Sequence, residues 1–178
     1  MFIRELVPRD LDRLRDIDGT VESMEYLHVD ASGEGMTSAW RIEPRPLREK
    51  RIDGNPLGED ATFLAKQIAT GADEGVALVS EYDDNLIGLL IAQAEPAAGG
   101  GAGLMRVVDV RIDFDYRRQG MGSALMYQLI TVARERGLRA VAAEARTNNL
   151  PANAFLQKVG FDLCGVDTRR HSNHDLVK

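Results

Sequence analysis

Cysteine is almost absent. The one residue, Cys164, has no partner for an internal disulfide, so no covalent framework holds the chain, and a reducing cytoplasm suits it. It falls in an alternating apolar segment, where it reads as core packing rather than as a nucleophile. No apolar run approaches the roughly 20 residues of a membrane helix, and no secretory leader pattern is present. The expectation is a cytoplasmic protein without a membrane partner. Lys and Arg number 22 against 28 Asp and Glu, a net charge of -6, and no basic run is long enough to mark a nucleic-acid face. That sign mildly favours steering of a cationic small molecule. The three histidines, His28, His171 and His174, lack metal-ligand spacing, so no metal is expected. Neither G-x-x-x-x-G-K-[ST] nor G-x-G-x-x-G occurs; Leu125 stands where the second pattern needs its last glycine. No internal repeat is visible. With 178 residues, one domain spanning 1–178 is expected.

What is present centres on residues 113–124. Met105–Ile112 is β-branched and partly alternating, which predicts a strand. Leu125, Leu129, Val132 and Ala133 recur at helical spacing, and Gly137 marks a stop. Gly120 and Gly122 therefore lie at a strand-to-helix turn, where glycine permits positive φ and close approach to the backbone. The first turn of a helix carries unpaired N–H groups and a positive dipole end, so it attracts an anion. Arg117 and Arg118 add charge. The outline is that of a pyrophosphate cradle; a helix-start turn with solvated arginines is the plainer reading.

The segments that follow favour the cradle. Val141–Ala145 reads as a short strand, Asn148-Asn149-Leu150-Pro151 as a cap with proline in the first turn, and Ala152–Val159 as a helix ended by Gly160. Phe161–Val166 alternates as a further strand. Arg117-Arg118-Gln119-Gly120-Met121-Gly122 fits [QR]-x-x-G-x-[GA], which resembles the acyl-CoA loop of the GNAT N-acetyltransferase superfamily. Asn149-x-x-Ala152 followed by Lys158-Val159-Gly160-Phe161 resembles that family's second conserved segment. Thr147–Ala152 and Gly160–Asp167 look most like its streptothricin acetyltransferase group. The resemblance covers about half of the chain, the core at about 104–167.

The resemblance implies an α/β (α+β) fold with a mixed, splayed central sheet and helices on both faces. It implies acetyl-CoA as co-substrate, with no metal, and a small-molecule amine acceptor, with a streptothricin-type antibiotic as one candidate. Acetylation of a protein N-terminus or lysine, and acyl-CoA sensing without turnover, are the rival readings. By resemblance, cofactor contacts fall on Val110, Arg111 and Ile112, on Arg117, Arg118, Gln119, Gly120, Met121, Gly122 and Ser123, and on Asn149 and Asn153. A backbone N–H around Val110–Ile112 would hold the acetyl carbonyl, beside a bulge that opens the sheet.

Acetyl transfer needs a neutral amine, so something must accept its proton. Asp109, among valines, and Glu144, among alanines, are the carboxylates that stand out in predicted strands, where acids are depleted. The plainer reading of Asp109 is an ion pair with Arg111, its same-face neighbour. One departure from the family pattern matters. Leu156 occupies the position where many members carry a tyrosine that protonates the leaving thiolate.

Elsewhere, Phe2–Val7 predicts a strand, Pro8–Ile17 a helix, and Glu59 to about Gly71 a second helix. Val76–Tyr82 and Leu86–Glu95 predict a hairpin around Asp83-Asp84-Asn85, and Gly99–Gly103 a slack connector. From Glu22 to Gly58 only Ala39–Pro46 looks strand-like; the rest reads as loop, with Tyr26 and Trp40 as candidates for lining an acceptor pocket. The family normally adds a last strand after Asp167, but Thr168–Lys178 is polar and then ends. That leaves an open edge on Phe161–Asp167, so either self-association through it, as in a homodimer, or poor solubility and a mobile tail from about Thr168 onward is expected.

Overall fold

The computed structural model describes residues 1–97 and 99–167. The chain divides into two compact units, one of Met1–Thr20 with Gly54–Glu144 and one of Val21–Asp53 with the chain from Ala145 onward.

The first unit is built on a five-stranded sheet in the order β1-β4-β5-β6-β7. Its strands are β1 (Phe2–Glu5), β4 (Val76–Tyr82), β5 (Asn85–Glu95), β6 (Leu104–Ile112) and β7 (Ala140–Ala142), with β2 and β3 belonging to the second unit. All pairings are antiparallel except β6 with β7. The β4–β5 hairpin turns on Asp83 and Asp84, both at positive φ (49° and 59°), as a two-residue turn that continues the twist of its strands requires.

The strands sort their side chains by alternation. Ala77, Val79, Leu89 and Ile91 pack with Leu14 of a 3-10 helix (Pro8–Asp16), with Ile17 just after it, and with Ala61, Leu64 and Ala65 of α1 (Glu59–Ala69). The alternate residues Leu78, Leu90 and Ala92 are also fully buried, as are Leu125, Met126 and Leu129 of α2 (Met121–Glu135), which covers the opposite face. Helices thus flank both faces.

A charged cluster secures the start of the chain. Asp10 is fully buried and accepts from Arg4 Nη1 at 2.6 Å, Arg4 Nη2 at 3.0 Å and the Val7 N–H at 3.0 Å. Arg4 also donates to Glu81 at 2.7 and 2.9 Å. Burial by itself would raise the Asp10 pKa, but the bonds from Arg4 and Val7 outweigh it and hold the carboxyl below its ordinary value. A group depressed in this way adds stability above its unfolded pKa and loses it on acidification. Asp10→Asn is expected to cost about 3 kcal/mol at neutral pH. The difference from wild type should shrink as pH falls below about 4. Urea unfolding at pH 7 and pH 3 checks this; an equal gap at both values refutes it.

The second unit holds an antiparallel ribbon of β2 (Val21–Ser32) and β3 (Ala39–Asp53), joined through a 3-10 turn at Gly35–Thr37, together with α3 (Leu150–Lys158). Leu27 N–H bonds to Thr147 O at 2.8 Å, so α3's leading segment lies on the β2 edge. The expected loop over 22–58 is therefore corrected: most of it is strand. Its charges hide the pattern, because residues of β3 such as Arg41, Glu43 and Arg45 pair with polar partners across the ribbon. Tyr26 pairs with Arg45 and Trp40 with Ala31, which puts the two aromatics on opposite faces, so they do not line one pocket.

Two further expectations fail. Phe161–Asp167 forms no strand, and Cys164 is exposed rather than packed in a core. Alternation alone does not make a strand; it needs a partner edge, and no described strand pairs with this segment. The open-edge expectation lapses with it. The tail Thr168–Lys178, with His171 and His174, lies outside the described residues, as does Ala98, just before the glycine connector.

Candidate active site

β6 runs at the centre of the site. A register shift falls between the pairs Ile91–Asp109 and Ala92–Val107, leaving Val108 as the extra residue of a bulge. The bulge is thus two residues before the stretch where the resemblance put it. Past the bulge, Asp113 N–H bonds to Ile87 O at 2.9 Å. Counting back in twos, Arg111 and Asp109 also direct their backbone groups to β5, so those of Val110 and Ile112 point to the other edge. β7 pairs only with Leu104–Arg106, and no described strand lies along the edge beyond it. The sheet opens there, and among the described strands none pairs with the Val110 amide.

The turn after β6 is shaped for an anion. Asp113 caps a short 3-10 helix (Phe114–Tyr116) by accepting from Asp115 N–H at 3.2 Å. Arg118 and Gly120 both take positive φ, 64° and 85°, a curl that turns backbone N–H groups inward. A Cβ placed on Gly120 meets nothing within 4 Å, so the space above the turn is open. The first bond inside α2 runs from Ala124 N–H to Gly120 O, which leaves the amides of Met121, Gly122 and Ser123 without helical partners. No acid stands in that first turn. Gln119 completes the turn between the two positive-φ residues.

The two carboxylates go to different arginines on either side of the bulge. Asp109 accepts from Arg111 Nε at 2.8 Å and Nη2 at 2.6 Å, a two-point pair in which the Arg111 side chain is 4% exposed. Glu144 lies past the end of β7, not within a strand, and accepts from Arg106 Nη1 at 3.0 Å. Arg106 also donates both Nε and Nη2 to Glu95, and its Nε bond holds the Glu95 carboxyl below its ordinary value.

All three nitrogens of the Arg117 guanidinium already donate to backbone carbonyls, Ile112 O, Thr20 O and Asp18 O. Sequence reading missed this use. The signal was Asp18-Gly19-Thr20, which reads as a helix end but is a close-packed junction: a Cβ on Gly19 would lie 2.7 Å from Asn55 O and 2.8 Å from Arg111 Nη1.

Asn149 and Asn153 belong to the second unit. Asn149 caps α3 by accepting from Ala152 N–H at 3.1 Å, and Asn153 Nδ2 donates to Arg146 O and Asn149 O, both at 2.9 Å. Leu156 is half-buried on the same helix.

A depression of about 300 Å³ lies between the β4–β5 hairpin and the short 3-10 helix, lined by Arg13, Asp16, Asp113 and Asp115 among others. Three carboxylates make it a poor anion site. Among the described residues no His, Cys, Asp and Glu cluster is arranged to hold a metal ion, and no helix is long and apolar enough to cross a membrane.

Several known proteins share this fold. The streptothricin acetyltransferase of Streptomyces lavendulae is 25% identical over 166 residues, 93% of this chain and 83% of that one. The crystal structure of nourseothricin acetyltransferase shares the fold with a TM-score of 0.75 at 24% identity, over 97% of this chain and 89% of that one. So does a Bacillus anthracis str. Ames protein described as a streptothricin acetyltransferase and crystallised with acetyl coenzyme A. Its TM-score is 0.66 at 20% identity, over 92% of this chain and 85% of that one. The profile of the acetyltransferase (GNAT) family matches residues 19–161, and the chain belongs to that family of N-acetyltransferases.

Proposed function

We propose that this protein moves the acetyl group of acetyl-CoA onto a primary amine of a small cationic acceptor of the streptothricin type, in the cytoplasm, with its two units acting as one N-acetyltransferase domain. The observation that carries this reading is the adjacency of two features on one strand end. An anion-ready turn at Arg118–Ser123 directly follows an opened edge with an outward amide at Val110.

In this reading the diphosphate lies on the amides of Gly120, Met121, Gly122 and Ser123, with Arg118 and Gln119 beside it. The Val110 N–H donates to the thioester oxygen and stabilises the oxyanion as the amine attacks the carbonyl carbon. The C–N bond forms, the C–S bond breaks, and CoA leaves as thiolate. The amine's proton passes to Asp109 or to water, and the thiolate takes a proton from water, since Leu156 offers none. Asp109 keeps lone pairs beyond its two bonds to Arg111 and anchors the ammonium group; Glu144 adds negative charge further along. The net charge of -6 and the name of the Streptomyces relative support a cationic acceptor.

The test is thiol release from acetyl-CoA with streptothricin, polyamines and a peptide with a free N-terminus. Streptothricin should give turnover well above the hydrolysis background. Turnover with the peptide alone would move the reading to protein acetylation. CoA binding without turnover of any amine would leave an acyl-CoA sensor.

A further inference from the structure

The chain leaves the first unit after Thr20 and re-enters it at Gly54. Both junctions are tied down inside that unit by arginines on or just after β6. Arg117 donates through Nε to Ile112 O at 2.9 Å, through Nη1 to Thr20 O at 2.5 Å and through Nη2 to Asp18 O at 3.3 Å. Its guanidinium carbon sits 5.1 Å from the centroid of the Phe114 ring. Asp18 N–H in turn donates to Asp113 Oδ2 at 3.0 Å. At the other junction Arg111 Nη1 donates to Asn55 O at 2.9 Å, and Asn55 Nδ2 reaches back to Gly19 O at 3.3 Å.

An arginine that reads phosphate presents its planar fork to the ligand. Here all three nitrogens of Arg117 already serve backbone carbonyls. Burial, with the nearby charges of Arg111 and Arg118, pushes its pKa down, and the pull of Asp18 and Asp113 offsets this only in part. We propose that Arg117 is a positioning residue and not a phosphate ligand: it locks the Asp18–Thr20 junction onto the end of β6, with Arg111 doing the same for the junction at Asn55. The inference rests on reading the turn at Arg118–Ser123 as the acetyl-CoA site. Ile112 O, which Arg117 holds, lies on the same edge of β6 as the Val110 amide. The lock therefore fixes that edge of β6, the start of the anion turn and the Asp18–Thr20 segment as one piece.

Lysine separates the two roles. It keeps a point charge that serves a phosphate, but it has no fork to span three carbonyls. In the ligand-free full chain, Arg117→Lys is expected to speed amide exchange across Asp18–Thr20 by at least about tenfold, because the carbonyls of Asp18 and Thr20 are released and the amide bonds of this segment to Asp113 Oδ2 and Asp18 Oδ1 open more often. Arg118→Ala should leave that exchange unchanged. CoA affinity by calorimetry should change by less than about threefold in Arg117→Lys. In Arg117→Gln any loss should be the same at low and high salt, since no charge–phosphate contact is screened. Unchanged exchange at Asp18–Thr20 in Arg117→Lys overturns the proposal, and so does a CoA loss in Arg117→Gln that vanishes at high salt. If the wild-type protein fails to bind CoA, the acetyl-CoA reading falls, and the exchange comparison still decides for or against the lock.

Discussion

A Gly122→Val variant is expected to lose CoA binding by at least about 100-fold, some 2.7 kcal/mol, while keeping its fold. Gly122 is the second residue of α2, and its N–H has no helical partner. A phosphate oxygen must come within about 3 Å of such an amide to be held by it. Two γ-methyl groups on that residue stand in the way. The helix itself does not suffer, because valine is a better helix former than glycine. Gly120→Ala makes the opposite contrast. Its added Cβ meets nothing within 4 Å, but φ is 85°, so the expected loss is about 1 kcal/mol of stability with CoA affinity less affected. Arg118→Ala should weaken CoA only modestly, since backbone donors carry the site. Titration calorimetry and thermal melting on the three variants check this. Normal CoA binding by a folded Gly122→Val would show that the anion site lies elsewhere.

Asp109→Asn is expected to act twice. Removing the carboxylate leaves Arg111, whose side chain is 4% exposed, without its counter-charge, at a cost of about 3 kcal/mol of stability. It also removes the proposed amine anchor and proton acceptor, which should lower kcat/KM by about 10²–10⁴ with CoA affinity unchanged. The two effects separate in a double variant. Asp109→Leu with Arg111→Met replaces the ion pair by apolar groups of similar size and should recover part of the stability, because no buried charge is left alone while the bond from Arg111 to Asn55 O is lost. Activity should stay low. If activity returns together with stability, Asp109 is a packing partner of Arg111 and the proton goes to Glu144 or directly to solvent.

The two carboxylates show where sequence reading reaches its limit. Asp109 and Glu144 stood out as acids among apolar residues, and the strand pattern indicated an arginine partner for only one of them. Arg111, two positions along the same strand, was foreseeable from alternation. Arg106 was not, because its pairing with Glu144 depends on β7 lying beside Leu104–Arg106. Arg117 read as a phosphate arginine from its place in the motif; two of the three carbonyls that occupy it come from residues about a hundred positions earlier.

Local chemistry determined the elements that a few neighbouring residues can specify. These are the β4–β5 hairpin at Asp83-Asp84, α2 from its spaced leucines, its stop at Gly137 with φ 69°, the Asn149 cap, and the positive φ at Gly120. Turn, cap and helix signals act within a turn or two of chain, so a sequence states them directly. Tertiary structure decided what depends on a partner strand. The ribbon of β2 and β3 forms from a charged, proline-bearing stretch because each strand completes the other's hydrogen bonds, whereas the alternating Phe161–Val166 forms no strand because no described edge receives it. The same dependence places the bulge at Val108 and the opening of the sheet beyond Arg106, since a register is a relation between two strands and no single segment contains it.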